Sequence, residues 1–339
     1  MKILYVEDDL SGSIDRVIRL FSKYLDAKTI DGLKRLMADD YGATPDEIKT
    51  IVESTNIIEI ADRFPDALRK IMRGYDRYAC FIIDRNLFEK QRYDFQEVNE
   101  IYQNYTEASH KEYKEREGDY LLNWLGTNPD VPKGTLQRFY FLSAYPASDV
   151  RGVETIKTFM DFGKFTQEQF FDKSDTTAIE KLKHKIDNID VLNIQNDNRV
   201  YLDILRNNLD EEDAELFLNV LLEKNEVSRI GKNLSEVRII YEHILEKFAA
   251  TIPQCKDNRG KINEKIIFSE LENKGQFNPM LRNYCFTIWQ VCSAYGAHRR
   301  TGTEQKDRIF LPTLNSINSI IYALKEVILW LGDQFQQKK

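Results

Sequence analysis

Through the first 190 residues, short apolar runs alternate with segments of helical periodicity, and this alternation restricts the fold more than any other feature. The runs are "KILYV" (2–6), "NIIEIAD" (56–62), "ACFIID" (79–84), "RFYFLSAY" (138–145) and "EQFFDKS" (168–174). Between and after them, "IDRVIRLFSKYL" (14–25), "PDALRKIMRG" (65–74), "GDYLLNWLG" (118–126), "VETIKTFMDFG" (153–163) and "TAIEKLKHKIDNI" (177–189) space apolar residues as a helix does. Strands separated by helices lie parallel, because each crossover returns the chain to the same edge. The pattern therefore predicts an α/β domain with a five-stranded parallel sheet covered on both faces.

Two stretches exceed that minimal layout. Residues 27–54 contain "DDYGATPDEIKTIVES", which reads as an extra helix after a loop. Residues 89–117 are polar, charged and tyrosine-rich, and read as a solvated helical excursion. From about residue 190 the strand signal stops, and every further periodic segment is helical. The expected division is a sheet domain at 1–190, with insertions at 27–54 and 89–117, and an all-α domain at 191–339. Ser235 before "EVRIIYEHIL" and Gly275 after "SELENK" are the expected caps of two of its helices.

The net charge of -7 argues against sequence-independent nucleic-acid binding, which rewards dense Lys and Arg. No DNA-binding motif stands out. No run approaches 18 uncharged apolar residues, and "MKILYVEDDL" lacks the long apolar region of a secretory signal. Cys80, Cys255, Cys285 and Cys292 form no C-x-x-C pair, so free thiols in a cytoplasmic protein are expected.

The chemistry-bearing residues fall at the ends of the strands. The first run leads into Glu7, Asp8 and Asp9, the third ends on Asp84, the fourth carries Ser143 and the fifth carries Lys173. In an open α/β sheet, ligands bind beyond the carboxyl ends of the strands, at the switch in strand order. In the flavodoxin-like order 2-1-3-4-5, strands one and three flank that switch. Glu7, Asp8 and Asp84 then share one acidic pocket, with Ser143 and Lys173 beside it. Clustered carboxylates repel and favour a cation, and an all-oxygen site suits Mg²⁺. A carboxylate can also attack phosphorus and become an acyl phosphate.

With "ILYVEDD", "FIIDRNL", "FLSA" and "FFDKS" in this order, residues 1–190 resemble the receiver domain of two-component response regulators. The resemblance implies Asp84 as phospho-acceptor, and Glu7 and Asp8 as Mg²⁺ ligands together with the Asn86 main-chain carbonyl. It implies Ser143 as the switch hydroxyl, Lys173 as the family's invariant lysine and Phe170 as the aromatic rotamer switch. It further implies a sensor histidine kinase or phosphotransfer protein as partner, and autophosphatase activity. Two departures stand out. Ser174 follows the lysine where the family has a cis proline, and the apolar-proline turn after the acceptor gives way to the 89–117 insertion.

The helical half more faintly resembles domains of the HEPN class, through "SEVRIIYEHILEKFA", "SAYGAHRR" and "LPTLNSINSIIYALKEVILWLGDQF". Some of that class are ribonucleases with an Arg a few residues before a His. Here His298 is the candidate, but Ser293, Ala294 and Tyr295 stand where that Arg belongs. A dimerisation or protein-binding module is therefore the expected role. Three functions follow: a phosphorylated switch, a receiver-shaped scaffold used unphosphorylated, and a receiver-gated ribonuclease.

Overall fold

The computed structural model describes residues 1–38, 42–87, 93–144, 154–252, 255, 262–295 and 312–336. The chain divides into two compact units, Met1–Asn196 and Asp197–Lys339. In the first unit, β1 (Lys2–Val6), β2 (Ile58–Ala61), β3 (Tyr78–Ile83), β4 (Phe139–Ser143) and β5 (Phe170–Asp172) form one sheet in the order β2-β1-β3-β4-β5. Every pairing is parallel. This is the flavodoxin-like order, with β1 and β3 central.

All six residues of β3 are buried, which is why it reads as an unbroken apolar run rather than an alternation. Successive side chains still point to opposite faces. Leu4, Val6, Phe81 and Ile83 join one core, with Leu68 and Ile71 of α4 (Phe64–Gly74), Leu121 and Leu122 of α7 (Glu117–Thr127), and Phe159 of α8 (Glu154–Asp161). Ile3, Tyr5, Cys80 and Ile82 join the other. Their partners there are Val17 and Phe21 of α1 (Ile14–Phe21), Val52 of α3 (Pro45–Glu53) and Leu182 of α9 (Thr176–Asp187). The fifth strand is shorter than the apolar run suggests, because only Phe170–Asp172 pairs with β4.

The first insertion holds two helices, α2 (Ala27–Met37) and α3, where the sequence suggested one. The start of α3 is a capping box of Thr44 and Glu47 with Pro45 in the first turn. The second insertion holds α5 (Phe95–Ile101) and α6 (Glu107–Tyr113). It is helical as expected but not merely solvated. Val98, Tyr105 and Tyr113 are buried in the sheet's core. The Tyr105 ring meets those of Phe64 at 5.8 Å and Tyr120 at 4.9 Å. Tyrosine counts as polar in a composition, yet its ring supplies a large apolar surface, worth roughly 1.5–3 kcal/mol when fully buried. Helix α10 (Asp190–Asp197) returns to this unit through Leu192, which joins the core beside α1 and α9.

The second unit is built from α11 (Arg199–Asn208), α12 (Glu211–Glu223), α13 (Ile230–Ala249), α14 (Glu264–Asn273), α15 (Pro279–Tyr295) and α16 (Leu314–Gln336). Trp330 of α16 stacks on Phe248 of α13 at 4.2 Å and donates its indole N–H to the Gln276 carbonyl at 2.8 Å. Gly275 ends α14 in the left-handed region (φ +69°). Its N–H reaches the Glu272 carbonyl, and that of Gln276 reaches the Leu271 carbonyl. Ser235 does not cap. It lies inside α13, which begins at Ile230, and its hydroxyl donates to the Gly231 carbonyl one turn back.

His243 of α13 bonds through Nδ1 to Asp213 Oδ1 of α12 at 2.8 Å. Burial raises the Asp213 carboxyl, and His243 offsets this only in part. For His243 burial alone would lower the imidazole, but the bond and charge of Asp213 outweigh it and the net shift is upward. All four cysteines are free and buried. Among the described residues no helix is long and apolar enough to cross a membrane.

Candidate functional site

The register of the two central strands builds the site. Val6 pairs with Ile83, and the Asp84 N–H donates to the Val6 carbonyl at 2.9 Å, so Glu7 and Asp84 leave the sheet side by side. Glu7, Asp8 and Asp84 are all buried, and one oxygen from each lies within 4.8 Å of the others. On the other flank Ile83 pairs with Phe141, which puts Ser143 two residues further along β4. Ser143 is buried, and its carbonyl accepts the Lys173 N–H at 3.1 Å.

Lys173 reaches back across the strand ends. Its Nζ donates to Asp84 Oδ2 at 2.5 Å and to Glu7 Oε1 at 3.2 Å. Burial alone would lower this ammonium, but the charges of Glu7 and Asp84 overcome that and raise it, so it stays a cation. Glu7 is pushed up to about 7, first by loss of water and then by the Asp84 charge, with Lys173 and Arg16 offsetting in part. Asn86 sits beside Asp84, its N–H donating to Asp84 Oδ1 at 3.4 Å. Phe170, half-buried at the start of β5, stacks on Phe141 with centroids 5.0 Å apart.

Two features carry no mark in the sequence. Arg16 of α1 donates through Nη1 to Glu7 Oε2 at 2.8 Å, placing a second cation against the acidic group. Nine residues separate them, and nothing in that spacing marks a pair that forms only when α1 packs under β1. The second is the Arg85–Asp119 pair. Arg85 Nε and Nη2 donate to Asp119 Oδ1 and Oδ2 at 2.9 and 2.8 Å, with both side chains buried. The Arg85 guanidinium carbon also lies 5.7 Å from the Phe141 ring centre and 5.8 Å from that of Phe170.

The structure thus brings Glu7, Asp8, Asp84, Asn86 and Lys173 together, with Ser143 at the end of β4 and Phe170 at the start of β5. His298 lies outside the described residues. Comparison with protein families, with curated proteins and with solved structures finds no match to the chain.

Proposed function

We propose that the chain is a two-component response regulator: a receiver domain that accepts a phosphoryl group on Asp84, joined to a helical output domain. The observation that carries the reading is the Lys173 ammonium shared between Asp84 Oδ2 and Glu7 Oε1, beside three converging carboxylates. A carboxylate nucleophile, an acidic cation site and a mobile cation on adjoining strand ends are what phosphoryl transfer to an acid requires.

An Asp84 oxygen attacks the phosphorus of a phosphohistidine on the donor. The new P–O bond forms as the P–N bond breaks, and the electron pair returns to the imidazole nitrogen. Lys173 leaves Asp84 Oδ2 for a phosphoryl oxygen, and the Ser143 hydroxyl donates to another. Water later cleaves the acyl phosphate and restores the carboxylate. The buried all-oxygen donor set of Glu7, Asp8 and Asp84 suits Mg²⁺, and the Asn86 carbonyl would complete it. Those residues would hold the ion, which would supply positive charge to offset the negative charge of the carboxylates and the incoming phosphoryl group. Phe170 is the aromatic that would reorient with the phosphorylated site, leaving Phe141 and Arg85. The partner is a histidine kinase or phosphotransfer protein, and the output is protein binding or self-association by the helical unit.

The scaffold reading has one observation in its favour. Lys173 and Arg16 already occupy oxygens of Glu7 and Asp84. Beryllofluoride with MgCl₂ separates the two. The switch reading expects saturable binding to wild type, seen as amide shifts around Asp84, and none to Asp84→Ala. Unchanged wild-type spectra would leave the scaffold.

A further inference from the structure

The loop that leaves β3 is held by the first turn of α7, one residue against another. The Glu117 carboxylate is fully buried and accepts the Leu87 N–H at 3.0 Å, the Tyr93 hydroxyl at 2.9 Å and the Glu115 N–H at 3.0 Å. The Gly118 N–H donates to the Arg85 carbonyl at 3.0 Å. Asp119 holds both arms of the Arg85 guanidinium. Asn86 is the residue between the two held ones. The helix lies so close that a Cβ on Gly118 would sit 2.4 Å from the Asp84 carbonyl oxygen and 2.9 Å from the Arg85 Cα. Position 118 therefore admits glycine alone.

These polar groups are an expensive way to pack a helix on a loop. Burying a carboxylate and an ion pair takes them out of water, and apolar residues of the same shape often stabilise a fold as well or better. What the polar groups add is direction. A bidentate Arg–carboxylate fork and a carboxylate fixed by three donors allow little rotation of the backbone they hold. A tight proline turn would restrain such a loop from within. Here the chain runs on into the 89–117 insertion, and the restraint comes from where that insertion returns.

We propose that Glu117, Gly118 and Asp119 are positioning residues that fix the Asn86 carbonyl as a metal ligand, so that the insertion's return completes the site. This rests on the reading of Glu7, Asp8 and Asp84 as a Mg²⁺ site. Residues that orient a metal ligand without touching the ion typically contribute about 10–100-fold to affinity.

The test is Mg²⁺ titration calorimetry of the full chain, with melting curves taken in EDTA. The Arg85→Met/Asp119→Leu double variant removes both charges of the pair at once and so leaves none unpaired. It should melt cooperatively yet bind Mg²⁺ at least about tenfold more weakly than wild type. Glu117→Gln should weaken binding in the same direction, and it carries the test if the double variant does not fold. Folded variants that bind Mg²⁺ as tightly as wild type would overturn the positioning role and leave the metal site standing. A wild type that binds no Mg²⁺ would sink the metal site and this role with it. A wild type that outbinds the variants but accepts no phosphoryl group would uphold the positioning role and sink the phospho-acceptor reading alone.

Discussion

Replacing Lys173 with methionine removes a cation 2.5 Å from Asp84 Oδ2 and 3.2 Å from Glu7 Oε1 while keeping most of the aliphatic stem. Both acids are buried, at 3% and 1% exposure. Both acids lose the lysine, but Arg16 stays on Glu7, so the larger loss falls on Asp84. Deleting one partner of a buried pair costs about 3–5 kcal/mol. The lower end applies, because Lys173 is 20% exposed and Glu7, raised to about 7, relieves repulsion by taking a proton near neutral pH. For a unit of this size about 3 kcal/mol lowers the melting temperature by roughly 6–12 °C. Mg²⁺ should return most of that, since an ion at about a hundred times its Kd adds about 2.7 kcal/mol. Thermal melts in EDTA and in MgCl₂ read both quantities. In an Asp84→Asn background the lysine has one fewer charge to pair, so its loss should cost about 0.5–3 kcal/mol less. A Lys173→Met protein that melts with wild type in EDTA, or whose cost is unchanged by Asp84→Asn, would mean that Lys173 does not pair with Asp84.

Tyr105→Ala should destabilise the first unit by about 3 kcal/mol, read from chemical denaturation, because the ring is wholly buried between Phe64 and Tyr120. An effect below about 0.5 kcal/mol would return the insertion to a solvated excursion. His243→Gln should alter how stability depends on pH. The imidazole is raised above its ordinary value, so its contribution is complete below about pH 6.5 and is lost as pH rises through the folded value. Wild type should therefore exceed the variant by more at about pH 6 than at about pH 8 in paired melts, and a difference that is flat with pH would contradict the pairing with Asp213.

The strands were legible because their signal is dense. "YACFII" is buried at every position, and the residues that follow each strand fall at one edge once the strands run parallel. That edge made Glu7, Asp84, Ser143 and Lys173 visible as a group before their distances were known. Contacts that depend on helix placement were not visible. Arg16 meets Glu7 only when α1 packs under the sheet, and Asp119 meets Arg85 across 34 residues. The second insertion misled through its tyrosines, whose rings fill the core although the segment is charged overall. Ser235 misled in the opposite sense. A serine before an apolar run resembles a cap, but "IGKNL" is also helix-competent, and α13 starts five residues earlier.

Phosphoryl transfer to Asp84 can be read by mass. Wild type and Asp84→Ala are each incubated with acetyl phosphate and Mg²⁺ and weighed intact by mass spectrometry. Wild type should gain one phosphoryl group that hydroxylamine removes, and Asp84→Ala, like wild type in EDTA, should gain none. An unmodified wild type, or equal modification of the Asp84→Ala protein, would contradict that transfer.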